Sequence, residues 1–180
     1  MADVRWPRIR QSLAALSPAQ LLDLLHELHD RSADNRRYLA AKVNSSDGAA
    51  ALQDYRERID AEFVHGNPPR QPRLGAARKA IRDYQRATGD RDGAADLLLS
   101  FVESGNRLSR EHGDMGSAFY DSLARALHDL GEVLHDDRAL YGRLRQRLAQ
   151  LRRDSQRVGW TWGAHVAEIV DRLERAAGDD

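Results

Sequence analysis

The chain has 180 residues, enough for one domain with a real core and short for two. Apolar residues make up 41% and charged residues 31%, with alanine, leucine and arginine prominent and aromatics scarce; this suits packed helices with large solvated faces better than a thick sheet core. Lysine plus arginine and aspartate plus glutamate both number 28, so no overall field steers the chain onto nucleic acid or an acidic membrane, and the lack of cysteine excludes disulfides, thiolate metal sites and cysteine nucleophiles.

The opening MADVRWPRIR lacks the apolar run of a secretory signal, and no stretch reaches the length of a membrane span; the expectation is a cytoplasmic protein. In SPAQLLDLLHEL, Ser17 can cap, Pro18 fits the first helical position and Gln20 completes a capping box, which predicts a helix ending near Arg31. Its stripe of Leu21, Leu25 and Leu28, with Leu22 and Leu24 at the margins, reads as a buried core face. LLDLL also fits a short leucine motif that docks in apolar grooves.

A second helix is predicted over 34–43, and a third starts near Asp47 and carries Leu52, Tyr55, Ile59 and Phe63 at spacings of three and four. HGNPPRQPR then forbids helix; residues 65–73 are the candidate subdomain boundary, read as a crossover between two helical layers. Leu74, Ala77, Ile81 and Tyr84 mark a fourth helix stopped by Gly89. Asp90 or Asp92 caps a fifth, which ends at Gly113 and puts Gly105 and Ser109 inward. Asp114 is the predicted cap of a sixth, with Phe119, Leu123, Leu127, Leu130 and Leu134 facing the core. Asp136 or Asp137 starts a seventh with Leu140, Leu144, Leu148, Leu151 and Val158, and GWTWGAHVAEIV begins an eighth. No segment alternates like a half-buried strand. The expected fold is all-α: one domain over 1–180, with antiparallel helix hairpins packed as a compact bundle or a short HEAT-like layer of about seven or eight helices.

Charge is unevenly placed. Residues 111–137 hold seven acids and one arginine, and 138–157 hold seven arginines and one acid, so the sixth and seventh helices are expected to match their charged rims. In the other basic stretch, Arg78, Arg82 and Arg86 recur every fourth residue beside Arg70 and Arg73, the strongest nucleic-acid candidate in the chain. No aromatic platform interleaves them.

Seven histidines are the chemical reserve. His128, Glu132 and His135 share one stripe, and the spacing of four lets a metal bridge His128 and Glu132; that stripe faces away from the leucines. His29 and His165 fall within one residue's rotation of their helices' apolar centres. Glu103, His112, Asp114 and His165 are a candidate acid/base or metal cluster, if three helices meet there. HELHD, residues 26–30, is not a metalloprotease signature, because its histidines are three apart.

GDRDGAADLLLSFVESG, GDMGSAFYDSLARAL and GWTWGAHVAEIV, in that order and with the earlier NRRYLAAKV, resemble a widespread all-helical bacterial family described only as a domain of unknown function. The resemblance implies a single cytosolic helical domain with no assigned activity or cofactor. Its pattern falls on Glu103, Tyr120, Trp162, Gly163 and His165, with Trp160 and Thr161 extra to it. The functional expectation is a helical adaptor or scaffold that binds another protein, with no cofactor and no membrane. Two alternatives stand beside it: a metal-assisted hydrolase using the histidine–carboxylate cluster, and a nucleic-acid binder using the Arg78/Arg82/Arg86 stripe.

Overall fold

The computed structural model describes residues 5–43, 48–64 and 71–178. Among them are nine helices and no strand: α1 (Trp6–Ala14), α2 (Pro18–Arg31), α3 (Ala33–Val43), α4 (Gly48–Ala61), α5 (Leu74–Thr88), α6 (Arg91–His112), α7 (Ser117–Asp136), α8 (Arg138–Ser155) and α9 (Trp160–Gly178). None is long and apolar enough to cross a membrane.

Several ends follow from single residues. The Ser17 hydroxyl accepts from the Gln20 amide at 3.3 Å, while the Gln20 side chain accepts from the Ser17 amide at 2.9 Å. Asp90 caps α6 by accepting from the Gly93 amide, and Asp137 caps α8 by accepting from the Leu140 amide. Gly89 closes α5 in the left-handed conformation, φ 72°.

Three expectations are corrected. α1 is an additional helix, with Pro7 in its first turn. Asp114 does not cap α7: its carboxylate accepts from the Gly116 amide, and Gly116 is the N-cap residue, with no side-chain hydrogen bond. α8 stops at Ser155, so Val158 is buried from the connection to α9.

The 22-residue α6 is the hub, about 33 Å long by its rise. It packs on α4 and α5 on one side and on α7 and α8 on the other, and α9 closes the second side against α7 and α8. Leu97, Leu99, Phe101 and Val102 are fully buried there, each contributing on the order of 1.5–3 kcal/mol by area. Small residues set the spacing: a Cβ on Gly105 would lie 2.5 Å from the Leu123 side chain, so any larger residue there must displace that buried leucine. Edge-to-face pairs, Tyr55 on Tyr84 and Phe63 on Phe101, tie α4 to α5 and the turn after α4 to α6. The helices before and after the proline segment thus share one core.

The charged rims pair differently from the expectation. α7 and α8 touch each other less than either touches α6 or α9, because they lie diagonally across the bundle. The arginines of α8 instead reach α6 and α9: Arg143 binds Asp92, Arg147 binds Asp96 and Glu103, and Arg152 binds Asp171 and Glu174. The acids of α7 face Arg78 of α5 and Arg172 of α9.

α1 and α2 stand apart from this core. Neither buries a single residue, and the main neighbour of α2 is α3. The leucines of α2 are therefore not the core face expected of them.

Candidate functional site

A cleft of about 640 Å³ opens where the C-terminal end of α6, the first turns of α7 and the start of α9 meet, a volume in the ordinary range for small-molecule sites. Glycines make the two connections that border it: Gly113 (φ 86°) and Gly116 (φ 81°) between α6 and α7, and Gly159 (φ 37°) before α9. Trp162 is anchored in the wall. Its indole N–H donates to the buried Asn106 Oδ1 at 2.9 Å, and its ring lies 6.1 Å from Tyr120 and 6.2 Å from His165. Gly163 lets α9 approach closely, since a Cβ there would sit 3.0 Å from the Ser155 carbonyl oxygen.

The polar lining divides into committed and uncommitted groups. Ser109 donates its one hydroxyl proton to the Gly113 carbonyl at 3.2 Å, so Tyr120 donates to Ser109 across their 2.5 Å contact. Neither hydroxyl is bonded to His165. The His165 Nε2 is buried and has no hydrogen-bond partner among the described residues. Arg157 and Asp121 also line the cleft, without an ion-pair partner for either side chain among the described residues. The wall can thus hold an apolar body and engage polar groups of either sign, but no serine–histidine or cysteine–histidine relay is assembled for nucleophilic catalysis.

The candidate quartet does not converge. Asp114 and His165 share the cleft, whereas His112 lines a separate groove with Phe63 and Ser104. Glu103 points to another side of α6, where it accepts two hydrogen bonds from Arg147, Nε at 3.0 Å and Nη2 at 2.6 Å. Burial opposes the Arg147 charge, but the bonds to Glu103 and Asp96 outweigh it and raise the guanidinium pKa. Asp96 also accepts from Arg56, so this network joins α4, α6 and α8 and is structural. Of the positions in the family-like pattern, Tyr120, Trp162 and His165 line the cleft, Gly163 packs on the Ser155 carbonyl, and Glu103 lies elsewhere.

His128, Glu132 and His135 are exposed and do not gather their donor atoms at one point; Glu132 lies 3.8 Å from Arg172 instead. Among the described residues, the group with metal-ligating geometry is His26, His29 and Asp30 on α2. In the arginine stripe, Arg73 is held by the Glu62 carboxylate and Arg78 by Asp129, leaving Arg82 and Arg86 exposed; Arg70 lies outside the described residues. That stripe is not a continuous free cationic surface.

Among the described residues, five of the eight exposed large apolar side chains lie on the N-terminal arm. Leu22 is 66% exposed, Leu25 43% and Leu28 41%, and α1 adds Trp6 at 63% and Ile9 at 38%. Asp23 and Glu27 stand exposed beside the α2 leucines. Family models, curated proteins and solved structures give no match to this chain.

Proposed function

We propose that the protein is a helical adaptor that docks an amphipathic helix of another protein on α2. The observation that carries this reading is the exposure of Leu22, Leu25 and Leu28 on a helix with a complete capping box, in a chain whose other helices leave their leucines buried or half-buried. Covering such side chains is favourable by about 1.5–3 kcal/mol each. The acids beside them select a ligand helix with arginine or lysine flanking its apolar stripe. A synthetic helix of that pattern is the probe. It binds the wild-type chain, an acid-flanked version does not, and L22E/L25E weakens binding at least tenfold without lowering thermal stability. Undiminished binding by L22E/L25E overturns the reading. So does a stable dimer in light scattering that the same substitution dissolves, because α1 of a second copy, with Trp6 and Ile9 among Arg5, Arg8 and Arg10, has the same chemistry.

A second reading rests on the buried, unpartnered His165 Nε2 beside the cleft: recognition of a small molecule with an aromatic or aliphatic body and one polar group that bonds the imidazole. Benzoate and indole serve as probes. Saturable shifts of the Trp162 indole N–H resonance, lost in H165A, support it; no saturable shift ends it.

A further inference from the structure

HELHD is not a metalloprotease motif, yet its spacing has a different consequence once α2 is helical. Residues four apart are neighbours on a helix, and the residue between them at i+3 completes a triangular face. His26, His29 and Asp30 form that triangle. The His26 Nε2 lies 3.4 Å from Asp30 Oδ2, and the His29 Nδ1 lies 2.9 Å from Asp30 Oδ1. The two imidazoles are stacked, 9° from parallel with centroids 6.0 Å apart, so both present a nitrogen to the same carboxylate. One donor atom from each residue falls within 4.8 Å of the other two.

We infer that His26, His29 and Asp30 form a three-ligand site for a borderline divalent transition-metal ion of the zinc class. A zinc ion at about 2.0–2.2 Å from each donor needs donors spaced about 3.4 Å apart. The His26–Asp30 pair already has that spacing, and the remaining adjustment is a rotation of exposed side chains that leaves the helix unchanged. Two imidazole nitrogens and one carboxylate oxygen suit zinc, nickel or copper, whereas calcium and magnesium take all-oxygen sites. The alternative, two surface histidine–aspartate contacts, contributes little in water. Three protein ligands leave one tetrahedral position for water or an outside donor. All three residues come from one helix, so the site needs no docked partner and stands whether or not the leucine face binds one.

The test is equilibrium dialysis of the full chain against zinc chloride, followed by metal analysis and competition with a chelating indicator. The wild-type chain retains one zinc per molecule. H26A and D30N each weaken it at least tenfold, the scale seen when even an outer-shell partner of a metal site is lost. H128A/H135A binds as the wild type does. Circular dichroism confirms that helix content is unchanged in each variant, as the exposure of these side chains requires. The inference is overturned if the wild-type chain retains no stoichiometric zinc, or if H26A and D30N bind it as tightly as the wild type.

Discussion

α2 and α8 carry leucine at similar density and end in opposite situations. In α8, Leu140, Leu144, Leu148 and Leu151 follow one line, with arginines between them, and every one is buried against neighbours on α6 and α9. In α2, five leucines form a face with a complete cap, and none is buried. The difference lies in the surroundings: α8 has two partner helices and α2 has mainly α3. A helical apolar period shows that a face exists, and only the rest of the chain decides whether that face is covered.

The largest test of this contrast is a matched pair of truncations. L127A in the fully buried line of α7 should cost about 3 kcal/mol or more in denaturant unfolding, because it removes contacts and leaves a cavity. L25A should stay within about 0.5 kcal/mol. Equal costs would mean that the arm packs into the core, and would break the comparison.

A smaller effect tests how polar groups tie the core together. R147A leaves Glu103 without its bidentate donor and removes one of the two arginines on Asp96. The expected loss is about 2–3 kcal/mol, since a partly buried carboxylate is left uncompensated. E103Q combined with R147A should recover part of that loss, and additive losses in this double-mutant cycle would contradict the pairing.

A last test is a pH dependence to which the core phenols contribute. Burial, helped by the Asp83 charge, pushes the Tyr55 phenol up to about 12, and burial with a hydrogen bond to Asp90 raises Tyr84 as well. A phenol whose folded pKa exceeds the unfolded value gives stability that is complete below about pH 10 and is lost as pH rises through the folded pKa. Unfolding free energy should therefore fall from about pH 10 towards pH 12, and Y55F should flatten that slope. The α1–α2 arm holds no tyrosine and contributes nothing to the slope.

Much of the fold was legible because punctuation residues act locally. Ser17, Pro18, Gly89, Asp90 and Asp137 work through bonds within a turn or two of themselves, so the helices they bound fall where expected. α1 carries little sequence signal, because its nine residues present only Trp6, Ile9 and Leu13 as a stripe. The charged rims of α7 and α8 turn to α5, α6 and α9 for a tertiary reason: adjacency along the chain becomes opposition across the bundle.

The candidate site was legible in part for the same reason. Trp162 and His165 lie one turn apart and were bound to be neighbours, whereas the Tyr120–Ser109 and Trp162–Asn106 bonds join different helices. Their signal was polar residues on the otherwise apolar inward face of α6. His26, His29 and Asp30 obey the same spacing rule that singled out His128 and Glu132.

Asp137 is the sole residue between α7 and α8; it ends one helix and caps the next. Connections are where chains usually accept added residues, but this one has no slack. An insertion here must either displace the Asp137 carboxylate from the Leu140 amide or rotate α8 by about 100°, turning its leucine line away from α6 and α9. Length variation among descendants of this chain should therefore accumulate at other connections, leaving the step from Asp136 to Arg138 as a fixed ruler in the molecule.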